Sequence, residues 1–234
     1  MAVETLDQAI IRHLKLRLGR MTNDYGSGSR ACLASEDIRV EDVAGQADLF
    51  PTSGRPVAML VQRDTQQTDI GAYTSLGQQV VVGGGEKIYR RYFASDGTLV
   101  EVKAVARITQ IYSVEFQATI DDKALGRYGR ELIRCLVLPR RFAYHVLDLE
   151  TALGGTEEVF EAVGVNVGNA QRRALERYRP TGEQDPMGQA LYVVEQVGAM
   201  WTADVEFRTH IIEASSQKAM AGAVVTAMEV ESGT

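Results

Sequence analysis

Two glycine-rich stretches of the sequence come closest to a phosphate-binding motif. Residues 80–87 run from valines through three glycines to Lys87, but a phosphate-binding loop needs Ser or Thr after that lysine, and Ile88 follows. Residues 26–31 fit a loose dinucleotide fingerprint, yet they follow a predicted helix instead of a strand, which removes the mechanism. Both stretches are interpreted as loop, and no cofactor is expected.

The histidines and cysteines give no catalytic or metal-binding pattern. His13, His145 and His210 share no spacing typical of metal ligands, so no metal is expected. His210 falls on the polar face of a predicted strand, which favours a solvated side chain, and His13 falls on the polar side of the first predicted helix, so that solvent contact is expected there too. Cys135 falls on the apolar stripe of a predicted helix, which favours an inert core thiol.

Carboxylates do not form a convincing catalytic pair either. Asp121 and Asp122 directly precede a predicted helix, where capping and the helix dipole explain both. The sequence therefore favours a protein that is not an enzyme. The alternative from the class of enzymes is a small cytosolic enzyme whose site is assembled from scattered loop residues such as Arg63, Asp64 and Asp69.

Two basic runs remain as candidates for binding. The first lies on a predicted hairpin, where cations alternate with aromatic residues, and the second surrounds Glu176. Arginine and aromatic side chains are enriched at protein interfaces, and a hairpin that projects alone is barely stable in water. We therefore expect an oligomer or partner interface at Tyr89, Arg90, Arg91, Tyr92, Phe93, Arg172, Arg173 and Arg177.

Several predicted elements position these residues. A helix is expected over residues 5–18, with Thr5 and Gln8 as a capping box, followed by loop over residues 21–56. A strand at 57–61 leads into a polar stretch, and a hairpin turns at Asp96-Gly97 between residues 87–94 and 99–108. An alternating strand at 110–120 precedes a second helix, which Asp121 or Asp122 caps and Pro139 ends.

The rest of the chain is predicted to complete a sheet. Thr156 is expected to open a short helix through Val163, and residues 172–179 to form a charged ribbon or turn. Residues 191–197 fit a strand or a short helix, whereas 201–211 and 222–230 fit strands. The fold class is therefore α+β, a single domain over 1–234 with a mostly antiparallel sheet backed by two main helices. Long loops and a projecting β-hairpin are expected as excursions at 20–56 and 63–106.

Composition narrows the function classes. The chain has 234 residues, 45% of them hydrophobic, and a net charge of −6, which disfavours sequence-independent nucleic-acid binding. Two cysteines are too few for a disulfide scaffold and fit a reducing compartment. No apolar run reaches the roughly 18 to 20 residues that span a bilayer, and the first residues are charged where a signal peptide would be apolar.

The order of elements resembles the tail-terminator or neck proteins of long-tailed phages. The resemblance rests on the helix with Leu6, Ile10 and Leu14, the strand 112–118, the helix 123–138 directly after it, and the late strands 201–208 and 223–230. It covers residues 1–18 and 100–230. In that family an amphipathic strand leads into a helix, and a distal strand of the same kind completes the sheet.

The resemblance implies a structural virion protein that forms a ring, commonly of six subunits. Such a ring caps the tail tube and joins it to the head-side connector. The implied partners are further copies of the chain, the tail tube protein and the head-side connector protein, with the tail sheath as a further candidate and no membrane. The implied localisation is the neck or tail of the virion, with assembly in the host cytoplasm.

Ring formation also agrees with the residues themselves. A closed ring needs two different patches on each subunit, which long loops and a hairpin can supply. The acidic balance suits a lumen through which DNA passes without specific binding, since few counterions would be released. The nearest alternative is another head–tail connector, such as an adaptor, a head-completion or a tail-completion protein.

Overall fold

A computed structural model describes ten segments of the chain: residues 3–22, 31–41, 51–52, 55–69, 81–82, 86–87, 90–93, 99–150, 156–184 and 186–217. The helices are α1 (Leu6–Leu18), a one-turn 3-10 helix (Ser35–Asp37) and α2 (Tyr128–Val137). The strands are β1 (Ile38–Val40), β2 (Val57–Asp69), β3 (Val81–Val82), β4 (Glu86–Lys87), β5 (Arg90–Phe93), β6 (Leu99–Thr119), β7 (Arg141–Glu150), β8 (Thr156–Val167), β9 (Gln171–Gln184) and β10 (Ala190–Gln217).

One large sheet organises these elements. Its strands run in the order β1-β2-β6-β10-β8-β7, with β5 paired to β6 and β9 paired to β10. The pairing of β1 with β2 is parallel, and the other described pairings of this sheet are antiparallel. Both helices pack into the same hydrophobic core. The predicted α+β class with a mostly antiparallel sheet backed by two helices is confirmed.

Alternation along β6 and β10 builds the core face of the sheet. Tyr112, Val114 and Phe116 of β6 are buried together with Trp201 and Phe207 of β10. Because successive side chains in a strand point to opposite faces, these positions share one side, and the helices cover it. Each large side chain buried in this way contributes about 1.5–3 kcal/mol.

Helix α1 begins and ends as predicted. Thr5 Oγ1 accepts a hydrogen bond from the Gln8 amide at 3.3 Å, and Gln8 Oε1 accepts one from the Thr5 amide at 3.0 Å. This capping box satisfies two amide groups that the first turn leaves without helical partners. At the other end, Gly19 forms the C-cap and donates its amide to the Lys15 carbonyl at 2.9 Å.

Helix α2 begins later than predicted. The prediction placed its start directly after Asp122, but turns occupy the following residues and the helix begins at Tyr128. Asp122 still binds at this end, since its carboxylate accepts from the Ala124 amide at 2.9 Å and from Tyr128 Oη at 2.7 Å. The aspartate therefore stabilises the turn before the helix, a local alternative that short polar side chains offer the backbone.

Two segments predicted as loop or helix are strands. Residues 156–163 belong to β8, where Ala162 and Val163 pair with Ala143 and Phe142 of β7, so the predicted short helix is wrong. Ile38–Val40 lies inside the predicted loop of residues 20–56 but pairs with β2. Three residues are too few to show a period, and sheet pairing decides their conformation instead.

The predicted excursion at 63–106 is largely sheet at both of its ends. Strand β2 continues to Asp69 instead of ending at Val61, and residues 64–69 pair with residues 106–111 of β6. Strand β6 itself starts at Leu99 and pairs with β5, as the predicted hairpin requires. Residues 191–197 are part of β10. The strand predicted at 222–230 lies outside the described residues.

Candidate functional site

The distal part of the β9–β10 hairpin is a long stretch of exposed regular structure. We call residues 176–184 of β9 and 190–196 of β10 the ribbon. Every side chain of the ribbon is exposed, in contrast to the buried residues that the same strand β10 carries from Gly198 onward. The sequence predicted a charged ribbon in this region, and that prediction is confirmed.

One face of the ribbon is apolar. Tyr178 lies opposite Val194, and Pro180 lies opposite Tyr192, so the four side chains share one side of the two strands. Tyr178 is 65% exposed, Tyr192 58% and Val194 50%. Large apolar side chains grouped in this way on an exposed element are typical of an interaction surface.

This apolar face continues the helix-covered face of the sheet. Arg172 pairs with Trp201, and its guanidinium lies 5.7 Å from the centre of the indole ring, a cation–π contact. Tyr178 and Pro180 follow Arg172 by six and eight residues along an unbroken strand, and even spacing keeps them on its side. The ribbon therefore extends the core face of the sheet.

A tight backbone approach marks the base of the ribbon. Strand β10 has a β-bulge between Gln196 and Gly198. These two residues pair with the adjacent residues Glu176 and Leu175 of β9, so β10 carries one extra residue here. A Cβ atom at Gly198 would lie 2.1 Å from the carbonyl oxygen of Ala118 on the neighbouring strand β6. Glycine is therefore required where the ribbon leaves the body of the sheet.

The outer edge of the ribbon is available for pairing. Within the described segments, β9 pairs with β10 alone, so its other edge presents backbone donors and acceptors along 14 residues. Such an edge pairs readily with another chain unless charges or proline protect it. Arg177, Arg179 and Pro180 lie on this strand, and such charges and proline protect the edge against non-specific pairing.

The predicted interface residues divide between several surfaces. Arg172 lies on the helix-covered face, Arg173 lies on the opposite face, and Arg177 lies in the ribbon. Arg90, Arg91, Tyr92 and Phe93 form β5 beside β6, and the structure describes their backbone only. Tyr89 lies outside the described residues. The structure therefore does not assemble the eight predicted positions into one patch.

The face of the sheet opposite the helices carries a polar groove. Its volume is about 270 Å³, and its walls include Arg173, Thr202 and Asp204. Arg63 also lines it and donates to Glu115 Oε1 at 3.0 Å. Ser113 is buried at the groove, whereas the other residues that line it are half-buried or exposed.

The two described side chains of the enzyme hypothesis, Arg63 and Asp64, make separate contacts. Asp64 accepts from the Thr65 amide at 2.8 Å and from Gln66 Nε2 at 2.9 Å, which occupies its carboxylate locally. Arg63 is engaged with Glu115, and Asp69 ends β2 without a described side chain. The described contacts of Arg63 and Asp64 give no support to a shared catalytic site.

The histidine environments differ from the sequence-based expectation. His13 is buried and stacks on Phe142, with ring centres 4.2 Å apart, because it follows Ile10 by one helical turn and shares its face. Burial, with Arg17 and Arg12 nearby, lowers the pKa of His13 to about 4. The His210 side chain is 12% exposed, and its Nδ1 lies 3.3 Å from Glu161 Oε1. The expectation of solvated side chains is wrong for both.

Sequence reasoning missed the apolar face of the ribbon and a cluster on β7 and β8. The signal for the first was present, since Tyr178 and Pro180, and also Tyr192 and Val194, alternate on either side of a turn. The cluster brings His145, Asp148 and Glu158 together. The prediction of no metal rested on spacing alone.

Comparison with known proteins adds no family assignment, because no family model and no curated protein matches the chain. Among the described residues, no helix has the length and apolar character that crossing a membrane requires. The functional proposal therefore rests on the surfaces described above.

Proposed function

We propose that this chain is a structural, non-catalytic subunit of a ring, of the phage tail-terminator kind, and that the ribbon joins neighbouring subunits. The observation that carries the proposal is the apolar face formed by Tyr178, Pro180, Tyr192 and Val194. It continues the core face of the sheet and is left open to solvent. A neighbouring copy covers it in the assembly.

The energetics of the ribbon support a neighbour. A two-stranded hairpin is marginally stable in water unless it rests on further structure, and this one has side chains exposed on both faces. Fully burying a large side chain is worth about 1.5–3 kcal/mol, so covering these half-exposed side chains recovers roughly half of that for each. Aromatic residues that become buried in this way are typical binding hot spots.

The geometry also suits a ring. In a closed ring each subunit offers two different surfaces, one to each neighbour. The ribbon supplies one projecting surface, and the body of the sheet supplies another. In the proposed assembly the ring caps the tail tube, meets the head-side connector and lets DNA pass through an acidic lumen without specific binding, in keeping with the net charge of −6.

The direct test is to image the purified full chain, alone and with tail tubes, by negative-stain microscopy and to measure the mass of its assemblies by native mass spectrometry. We expect closed rings. A variant with Tyr178→Ser, Tyr192→Ser and Val194→Ser should stay folded, because these side chains are exposed, and should lose ring formation. A chain that stays monomeric even beside tail tubes would contradict the proposal.

A matched control lies on the other face of the same ribbon. Arg179 pairs with Val193, and Glu195 pairs with Arg177. These positions lie next to those of the apolar face along each strand, so their side chains point to the opposite face. The double variant Arg179→Gln with Glu195→Gln should assemble like the unmodified chain. Equal loss of rings in both variants would show that the ribbon has no specific apolar contact.

A polymerisation assay separates the terminator from other connectors. A terminator added to assembling tail tube protein should stop growth and cap tube ends. A head-completion or adaptor protein should form rings that leave tube growth unchanged. Caps at tube ends, seen in micrographs, are the expected result.

A further inference from the structure

A mixed cluster of ligand atoms lies on the hairpin of β7 and β8, away from the ribbon. Its members are a buried imidazole, His145, and two exposed carboxylates, Asp148 and Glu158. Their ligand atoms all lie within 4.8 Å of one another, and His145 Nε2 is 2.7 Å from Asp148 Oδ1. One nitrogen and two carboxylate oxygens form a donor set that divalent transition metals use.

A β-bulge creates this arrangement. Strand β7 carries an extra residue between His145 and Leu147, so the pairing with β8 shifts there. Without the bulge, residues three apart would point to opposite faces of the strand. With it, His145 and Asp148 reach the same side, and bulges commonly re-aim side chains at functional sites.

The carboxylates face each other directly. Asp148 and Glu158 form a cross-strand pair in the register of β7 and β8. Like charges at directly opposite positions destabilise a sheet, and a cation between them removes that repulsion. The register therefore brings two anionic ligands together at a position where a positive charge stabilises the hairpin.

The imidazole is held in a fixed orientation. The His145 side chain is 1% exposed, and its ring stacks on Phe160 with centres 5.1 Å apart and planes 27° apart. The Asp148 side chain is 45% exposed, so it can adjust while the histidine stays in place. A rigid nitrogen ligand beside two adjustable oxygen ligands leaves the remaining coordination positions open to water.

We propose that His145, Asp148 and Glu158 bind a divalent cation of the zinc class and that it clamps the hairpin of β7 and β8. Zinc–ligand bonds of about 2.0–2.2 Å place tetrahedral ligands roughly 3.4 Å apart, so no pair of ligand atoms in the cluster needs to change its separation by more than about 1.4 Å. The imidazole favours zinc over magnesium or calcium, which prefer oxygen ligands alone. This site is independent of the proposed ring.

The test is calorimetric titration of the chelator-treated full chain with Zn²⁺, and separately with Mg²⁺. We expect one Zn²⁺ per chain and much weaker Mg²⁺ binding. Co²⁺ bound at the same site should give visible d–d absorption that Zn²⁺ abolishes. Absence of Zn²⁺ binding, or equal binding of Zn²⁺ and Mg²⁺, would overturn the proposal.

Two exposed variants locate the ion without disturbing the core. Asp148→Asn and Glu158→Gln should each weaken Zn²⁺ binding by at least the roughly 10- to 100-fold that loss of an outer-shell partner costs. The control is His210→Gln, which removes the histidine of the His210–Glu161 contact and leaves the cluster intact. Zn²⁺ binding that survives both cluster variants, or that His210→Gln abolishes, would place the ion elsewhere and refute the site.

Discussion

At the scale of single residues, His13 links the stability of the fold to pH. Its ring is buried between α1 and the sheet, against Phe142 and Phe207. Burial, with Arg17 and Arg12 nearby, holds its pKa at about 4 in the folded chain, against 6.5 for an ordinary histidine. In the unfolded chain the ring is free to take up a proton below about pH 6.5, so acid favours unfolding through this residue.

The first prediction concerns that pH dependence. The contribution of His13 is complete above about pH 6.5 and declines as the pH falls towards about 4. By pH 4.5, protonation of His13 in the unfolded chain should lower the free energy of unfolding by about 2.5 kcal/mol, because one pKa unit corresponds to about 1.36 kcal/mol. Urea unfolding at pH 7.5 and pH 4.5 measures this.

The control is His13→Phe, which keeps a ring in the same aromatic surroundings. Other titrating groups act in both chains, so the difference between the two pH responses isolates His13. The variant should lose about 2.5 kcal/mol less than the unmodified chain on acidification. Identical responses would show that His13 is not the buried neutral group described.

Glu131 is a second residue with effects beyond its own helix. Its carboxylate is fully buried, and its Oε1 accepts from the Thr22 amide and from Thr22 Oγ1, each at 3.3 Å. Arg134 donates to the same carboxylate. Glu131 therefore links the segment after α1 to helix α2 through hydrogen bonds.

The second prediction is that Glu131→Ala lowers the free energy of unfolding by about 1–3 kcal/mol. The half-buried Thr22 amide would lose its partner, and a donor left unsatisfied costs up to about that much when water is excluded from it. Chemical unfolding monitored by circular dichroism measures the loss. The exposed Arg130, on the same helix, serves as the control, since Arg130→Ala should stay within about 0.5 kcal/mol.

At the scale of elements, the junction between sheet and ribbon depends on Gly198. The third prediction is that Gly198→Ala destabilises the chain by about 3 kcal/mol, because the added Cβ would overlap the Ala118 carbonyl and force the backbone apart. Gly126→Ala is the control, since nothing lies within 4 Å of a Cβ there. Thermal unfolding compares the two variants. Equal melting temperatures would show that β6 and β10 can move apart at Gly198 without a loss of stability.

How far an element could be predicted depended on where its partners lie. The alternation of Tyr112, Val114 and Phe116 showed β6 and its buried face directly, because period and burial agree within one strand. The first part of β8, residues 156–163, escaped prediction because its partners in β7 decide its conformation. The cluster of His145, Asp148 and Glu158 escaped prediction because a β-bulge and a cross-strand register create it. Neither feature can be recognised from the spacing of residues in the sequence.

At the scale of the whole molecule, the proposed ring couples folding to concentration. Assembly that covers the ribbon stabilises the folded chain by mass action. The fourth prediction is therefore a melting temperature that rises with protein concentration. The variant with serine at Tyr178, Tyr192 and Val194 should melt at the same temperature throughout. A concentration-independent melting temperature in the unmodified chain would contradict assembly through this surface.

The length of β10 has a mechanical consequence. The strand runs for 28 residues, about 90 Å at roughly 3.3 Å per residue, from the tip of the ribbon through the centre of the sheet. Its hydrogen bonds to β6 and β9 lie across its axis, so a pull along the strand loads many of them together in shear. Tension applied at the ribbon is therefore transmitted into the middle of the subunit without peeling the hairpin apart one bond at a time.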